Sequence, residues 1–211
     1  MPEQLADQKA ALARIQEHLE KASERVLIGI IGKPGAGKST LSKFLMGKLP
    51  KDLVTVVPMD GYHLSNKVLK DLKRSDRKGA PDTFDVAGFV SLVKRIRSEQ
   101  TQNIYYPIFD RAIEESIAAQ GVVTSATKVV IIEGNYLLHD EGGWEVINDL
   151  LDESWMVDVD DDKRISRLIS RHIAYGKDPE AAKAWAKGTD EVNAKLIERG
   201  RTRADFVVAI D

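Results

Sequence analysis

Cysteine is absent from the chain. That excludes disulfides, thiolate nucleophiles and zinc sites built on Cys, and it suits the reducing cytoplasm. Long apolar runs are missing too: none approaches the roughly 20 residues that a membrane-spanning helix needs. The opening Met1-Pro2-Glu3-Gln4 is polar and lacks the apolar centre of a secretion signal. There is no excess of one charge, since the formal net charge is −2, so no basic field points to nucleic acid. Repeats, low-complexity tracts and Pro/Ser linkers do not occur, which predicts one domain over residues 1–211 rather than two. What is present is 43% hydrophobic and 30% charged, the make-up of a globular protein large enough for a sizeable core.

Against that background one stretch stands out. Gly32-Lys33-Pro34-Gly35-Ala36-Gly37-Lys38-Ser39 matches G-x-x-x-x-G-K-[ST], the phosphate-binding loop. Val26–Ile31 before it is a β-rich apolar run of strand length. Thr40–Met46 after it has helical spacing at Leu41, Phe44 and Leu45. Strand, glycine-rich turn and helix form the context in which loop amides and a helix N-terminus converge on an anion. Residues Gly32 to Thr40 are therefore the candidate nucleotide contacts. Lys38 reaches the outer phosphates and the Ser39 hydroxyl takes a place on Mg²⁺. The loop alone leaves GTPase, transport ATPase and small-molecule kinase open.

Further apolar runs at Leu53–Val57, Val129–Ile132, Trp155–Val159 and Phe206–Ile210 alternate with helical stretches. Short, nearly all-apolar strands separated by helices predict an α/β fold: a phosphate-loop NTPase-type parallel sheet flanked by helices on both faces. Leu5, Leu12, Ile15 and Leu19 predict an amphipathic helix within residues 1–24, packed on the domain. Between the second and third sheet strands, helical patterns at 66–73 and 86–97 precede short strands at 104–109 and about 121–124, a small flap on the substrate side. Residues 161–175, 180–187 and 191–199 read as helices, and 161–187 as a lid.

Ligands of such sheets sit beyond the carboxyl ends of the strands. Asp60 and Glu133 fall there, as does the loop. Asp60 suits a carboxylate that accepts an alcohol proton during phosphoryl transfer; the plain alternative is a capping or turn aspartate. Glu133 suits an acidic neighbour of Mg²⁺; the alternative is a strand-end turn residue. Arg164, Arg167 and Arg171 at i, i+3 and i+7 share one helix face, which could close on a triphosphate or lie solvated beside Asp160–Asp162. His63 is a candidate substrate contact, His172 a lid residue and His139 structural. Trp144, Trp155 and Trp185 read as core.

Four segments, Val57-Pro-Met-Asp-Gly-Tyr-His-Leu64, Arg77-Lys-Gly-Ala-Pro-Asp-Thr-Phe-Asp85, Tyr106-Pro-Ile-Phe-Asp-Arg111 and Ile131-Ile-Glu-Gly-Asn-Tyr-Leu137, together resemble the uridine kinase, pantothenate kinase and phosphoribulokinase superfamily. The likeness spans about Val26 to Ile210. It is strongest to short bacterial proteins described as fructose-transport-system kinases or nucleoside/nucleotide kinase-like proteins, which Asp190–Ile197 and Arg203–Val207 also resemble. The resemblance implies that Asp60 is the catalytic base, that Glu133 stands beside Mg²⁺, and that Arg167 and Arg171 close over the phosphates with Lys38. On the acceptor side it implies Tyr62, His63, Lys78, Phe84, Phe109, Arg111, Asn135 and Tyr136 beside Asp60. Two departures bear on substrate. Gly79 stands where uridine kinases carry a ribose-binding Asp, and Phe109-Asp-Arg111 lacks an aromatic that faces the base. Lys78 and Arg111 bring positive charge to the acceptor.

The expectation is therefore an enzyme that uses ATP and Mg²⁺ to phosphorylate a hydroxyl of a small polar metabolite. A sugar or pantothenate-like acceptor comes before a nucleoside. Neither a membrane nor a nucleic acid is an expected partner, and base rates leave room for a homodimer. The rival is a nucleotide-dependent switch without metabolite phosphorylation. No guanine-reading N-K-x-D is present, and a switch has no use for the acceptor-side residues.

Overall fold

The structure is a computed structural model and describes residues 1–210. Its centre is a six-stranded, all-parallel sheet. The strands are β1 (Glu3–Leu5), β2 (Val26–Ile31), β3 (Val54–Pro58), β6 (Val129–Gly134), β7 (Glu153–Asp158) and β8 (Phe206–Ala209), in the spatial order β1-β8-β7-β2-β6-β3. A separate antiparallel ribbon pairs β4 (Ile104–Asp110) with β5 (Glu115–Val123). The helices are α1 (Gln8–Lys21), α2 (Lys38–Met46), α3 (Asn66–Asp71), α4 (Val86–Ser98), α5 (Asp161–Ala174), α6 (Pro179–Lys187) and α7 (Thr189–Glu198).

The central strands β2 and β6 are almost wholly apolar because both of their faces are covered. Leu27, Ile31, Val130, Ile132 and Met156 point into one layer, shared with α4 and the aromatics Phe84, Tyr136 and Trp144. Val26, Ile28, Ile30, Val129, Ile131 and Trp155 point into the other, shared with α1 and α2. This alternation fixes the register, since a one-residue slip would exchange the two layers. The register sets Ile30 opposite Glu133 and Pro58 opposite Glu133, so β2, β6 and β3 end side by side. The phosphate loop, Glu133 and the turn carrying Asp60 then share one edge. Among the described residues no helix is long and apolar enough to cross a membrane.

Three features differ from expectation. Residues 1–24 are not one helix: Glu3–Leu5 adds an edge strand parallel to β8, and Asp7 then caps α1, accepting from the Lys9 and Ala10 amides at 2.8 and 2.9 Å. The strand rests on backbone pairing, which leaves little side-chain pattern. The second ribbon strand starts at Glu115, not near Gly121, because residues 115–120 have largely exposed side chains and pair only through the ladder. Arg164 does not face outward with Arg167 and Arg171. It is 1% exposed, donates to Asp161 at 2.7 Å and Glu191 at 2.5 Å, and braces α5 against α7.

The ribbon meets the sheet at a glycine. A β-carbon on Gly61 would collide with the Pro107 carbonyl oxygen, where the β4–β5 register shifts. Tyr106 Oη donates to the Val56 carbonyl at 2.8 Å and ties the same junction. Only glycine permits this approach, which brings Arg111 at the ribbon tip to the Asp60 turn. Gly61→Ala should therefore cost about 2 kcal/mol, a fall in Tm of roughly 4–8 °C. Thermal unfolding would show it, and an unchanged Tm would mean that the ribbon is not held by this contact.

Candidate active site

The loop's geometry follows from two left-handed glycines. Gly35 has φ 79° and Gly37 φ 97°. A β-carbon on Gly35 would sit 2.7 Å from Leu168 Cγ and 2.8 Å from the Arg164 carbonyl, so α5 packs directly on the loop. One on Gly37 would collide with Ile210 Cδ1. Gly37 also caps α2 without a side chain, which leaves the first amides of the helix free for a ligand. Pro34, Gly35 and Gly37 to Thr40 face a cavity of about 800 Å³. Gly32, Lys33 and Ala36 lie outside its wall. Ala36 is fully buried, and Lys33 pairs with Asp161 at 3.0 Å and Glu198 at 3.6 Å.

Lys38 is folded back over the loop. Its Nζ donates to Asn135 Oδ1 at 2.6 Å and to the Gly32 carbonyl at 2.9 Å. Burial pulls the ammonium down to about 8, against the opposing pull of Glu133 and Asp60. Glu133 accepts from Ser39 Oγ at 2.6 Å and from Ser42 Oγ at 2.9 Å. A hydroxyl and a carboxylate in contact are hard oxygen donors of the kind Mg²⁺ takes, so this pair fits the ion. No cluster of three or more His, Asp or Glu suited to a metal occurs among the described residues.

Asp60 sits in the short turn Met59–Tyr62 and lines the same cavity. Its carboxylate pairs with Arg111 at 2.7 Å. Burial pushes the carboxyl up, but His63, Arg111, Lys38 and Arg171 together outweigh it and hold it below the usual range. His63 Nδ1 donates to the Asp60 carbonyl at 2.8 Å. Burial lowers the His63 ring, against the opposing pull of the Asp60 carboxylate and carbonyl. The ring lies 4.1 Å from Phe84 and 4.8 Å from Phe109. Lys78 and Arg111 both stand over the Phe109 ring, at 5.1 and 5.3 Å from its centroid. From α5, Arg167 and Arg171 line the cavity above the loop.

The structure thus brings together Lys38, Ser39, Thr40, Asp60, His63, Lys78, Phe84, Phe109, Arg111, Glu133, Asn135, Arg167 and Arg171. Two expected substrate residues lie outside the wall. Tyr62 packs edge-on against Phe89 at 5.4 Å. Tyr136 is fully buried among Phe84 and Trp144, and its hydroxyl donates to the Gly79 carbonyl at 2.5 Å. Each supports the pocket from behind. Trp185, expected in the core, instead lines the cavity with Lys177 stacked 4.5 Å over it. Ser42 went unread, although its position one helical turn past Ser39 is a signal. So did Asp190 and Asn193. Asp190 accepts from or shares a proton with His172 at 2.7 Å, and Asn193 reaches the Gly79 carbonyl at 3.4 Å.

Comparison with known proteins identifies the family and the fold. Residues 27–210 match the model of the "Phosphoribulokinase / Uridine kinase family". A fission-yeast protein (Schizosaccharomyces pombe) provisionally named uridine kinase C227.14 is 32% identical over 203 residues, covering 90% of this chain and 85% of its own. A crystal structure from Silicibacter sp. TM1040, described as a candidate fructose transport system kinase, is 39% identical with a TM-score of 0.85. That match covers 95% of this chain and 98% of the other. YFH7 of Saccharomyces cerevisiae shares the fold at a TM-score of 0.82 and 19% identity, over 97% of this chain and 99% of its own. The chain belongs to the phosphoribulokinase/uridine kinase family, a family of ATP-dependent kinases of small metabolites.

Proposed function

We propose that the protein transfers the γ-phosphate of ATP to a hydroxyl of a small polar metabolite in the cytoplasm. A sugar or a pantothenate-like acid is preferred to a nucleoside as acceptor. The observation that carries this reading is that Asp60 faces the same cavity as Lys38 and Ser39. A nucleotide switch needs only the loop and Glu133. A carboxylate in the same cavity as the loop, flanked by His63, Phe109 and Arg111, serves an acceptor.

In this reading the α2 N-terminus and the loop amides bind the phosphates. Lys38 exchanges its neutral carbonyl partners for charged phosphate oxygens. Ser39 and Glu133 hold Mg²⁺, which when bound offsets phosphate charge. Asp60 accepts the acceptor's hydroxyl proton, with its carboxylate kept ionised by the surrounding cations. Arg167 and Arg171 draw α5 over the phosphates and exclude water. Gly79 supports the move away from nucleosides. A β-carbon there would meet nothing within 4 Å, so the place of the ribose-binding aspartate is open space.

Asp60→Asn should lower acceptor-dependent transfer by roughly 10²- to 10⁴-fold while leaving ATP affinity near that of the wild type. A coupled ADP assay and nucleotide titration check both halves, and wild-type transfer would remove Asp60 from the role of base. Lys38→Ala should lose nucleotide binding or turnover. Unchanged ATP affinity and rate in that variant would count against the loop as the donor site. Among sugars, pantothenate and nucleosides, ADP release should depend on the acceptor. Turnover indifferent to every acceptor favours the switch.

A further inference from the structure

Building on that kinase reading, we propose that the acceptor carries an anionic group, a carboxylate or a phosphate ester, which Arg111 and Lys78 receive. Arg111 spends one guanidinium nitrogen on Asp60, at 2.7 Å. A guanidinium has five N–H donors, so most of its fork remains for a ligand. Its side chain is 41% exposed, and it lines the cavity. Lys78 is held differently. Its Nζ donates to Asn66 Oδ1 at 2.7 Å and to the Glu114 carbonyl at 2.8 Å, both neutral oxygens. Its nearest carboxylate oxygen, on Glu114, stands at 3.6 Å, beyond hydrogen-bond distance. The side chain is 17% exposed, and Glu114, which lines the same cavity, pairs with its charge at ion-pair distance without a hydrogen bond, so the ammonium keeps reach for a ligand anion.

Phe109 makes these two cations one feature. Both stand within 5.3 Å of its ring centroid, and the ring is fixed in turn by His63 at 4.8 Å. Lys78 belongs to the loop after α3 and Arg111 to the ribbon tip, so unrelated segments converge on one spot. Arg111 chelates anionic oxygens through its fork, while Lys78 adds a point charge. The His63 ring, which lines the cavity with its Nδ1–H committed to the Asp60 carbonyl, fixes Phe109 from the other side.

The arrangement couples the charge of the acceptor to the state of the base. With no acceptor, Arg111 rests on Asp60. When the acceptor's anion engages the free donors of the guanidinium, it shares that cation with Asp60 and weakens the Arg111–Asp60 pair, leaving Asp60 more available to the hydroxyl. The hydroxyl oxygen then bonds to the γ-phosphorus, and the bond to the ADP oxygen breaks with its electron pair leaving on ADP. The hydroxyl proton passes to Asp60. Water brings no anion to Arg111, so it meets a base that is already paired.

Calorimetric titration in the presence of ADP tests the inference without requiring turnover. Glycerate and pantothenate serve as carboxylate probes, and fructose 1-phosphate and ribose 5-phosphate as phosphate esters. Glycerol, fructose and ribose are the neutral counterparts. At least one charged probe should bind saturably and ten-fold or more tighter than its neutral counterpart, and the stronger arm identifies the anion. Arg111→Gln and Lys78→Gln should each weaken that probe by about ten- to a hundred-fold with ADP affinity unchanged. Thermal unfolding of both variants confirms that they are folded. The inference is overturned if no charged probe saturates, if a neutral counterpart binds as tightly, or if both variants bind like the wild type. The kinase reading survives each of those results if a neutral acceptor is phosphorylated. Conversely, anion binding that depends on Arg111 with no product from any acceptor upholds the inference and strikes the kinase reading alone.

Discussion

The parallel register of β3, β6 and β2 is the constraint on which the rest depends. Glu133 lies opposite both Ile30 and Pro58, so the phosphate loop, the acidic group and the Asp60 turn leave the sheet at one level. Bonds in the cavity, from Ser39 and Ser42 to Glu133 and from Lys38 to Asn135, add to that alignment but do not set it. It is held by the two apolar layers, because a slip of one residue would turn Ile28 and Ile131 out of one layer and Leu27 and Ile132 out of the other. The chemistry is positioned by hydrophobic packing several residues away from it.

On that platform the cavity concentrates opposite charges that would be unfavourable singly. Lys38 is pulled down by burial, and Asp60 is held ionised by its neighbours only because they are cationic. Each charge makes the next one tolerable. The same cations, Lys38, Arg111 and Arg171, line the cavity in which the proposed donor and acceptor would meet. Buried polar networks of this kind are high-stakes when incomplete, and a kinase site is left partly incomplete for its substrates to finish. Arg164 shows the contrast. On the same helix as Arg167 and Arg171 it is fully paired and buried, and so its work is to hold α5 on the loop.

The sheet was readable because its inner strands are buried on both faces and carry apolar runs. The loop was readable from its glycines, and Asp60 and Glu133 from their places just past strand ends. What escaped did so for physical reasons. Glu3–Leu5 pairs by backbone alone. Arg164 and Arg167 have the same spacing on paper, and only the tertiary neighbour Glu191 separates strut from lid. Tyr62 and Tyr136 sit among cavity residues in sequence, but their rings face the core, where Phe89, Phe84 and Trp144 fill the space. Trp185 went the other way. A large aromatic is usually core, yet α6 ends over the cavity and Lys177 covers its ring.

The fate of the γ-phosphate tests the central claim most directly. With γ-labelled ATP and a saturating acceptor, the label should appear in an organic phosphate ester for the wild type and remain on ATP for Asp60→Asn. Label that passes only to inorganic phosphate, at the same rate with or without any acceptor, would contradict the account.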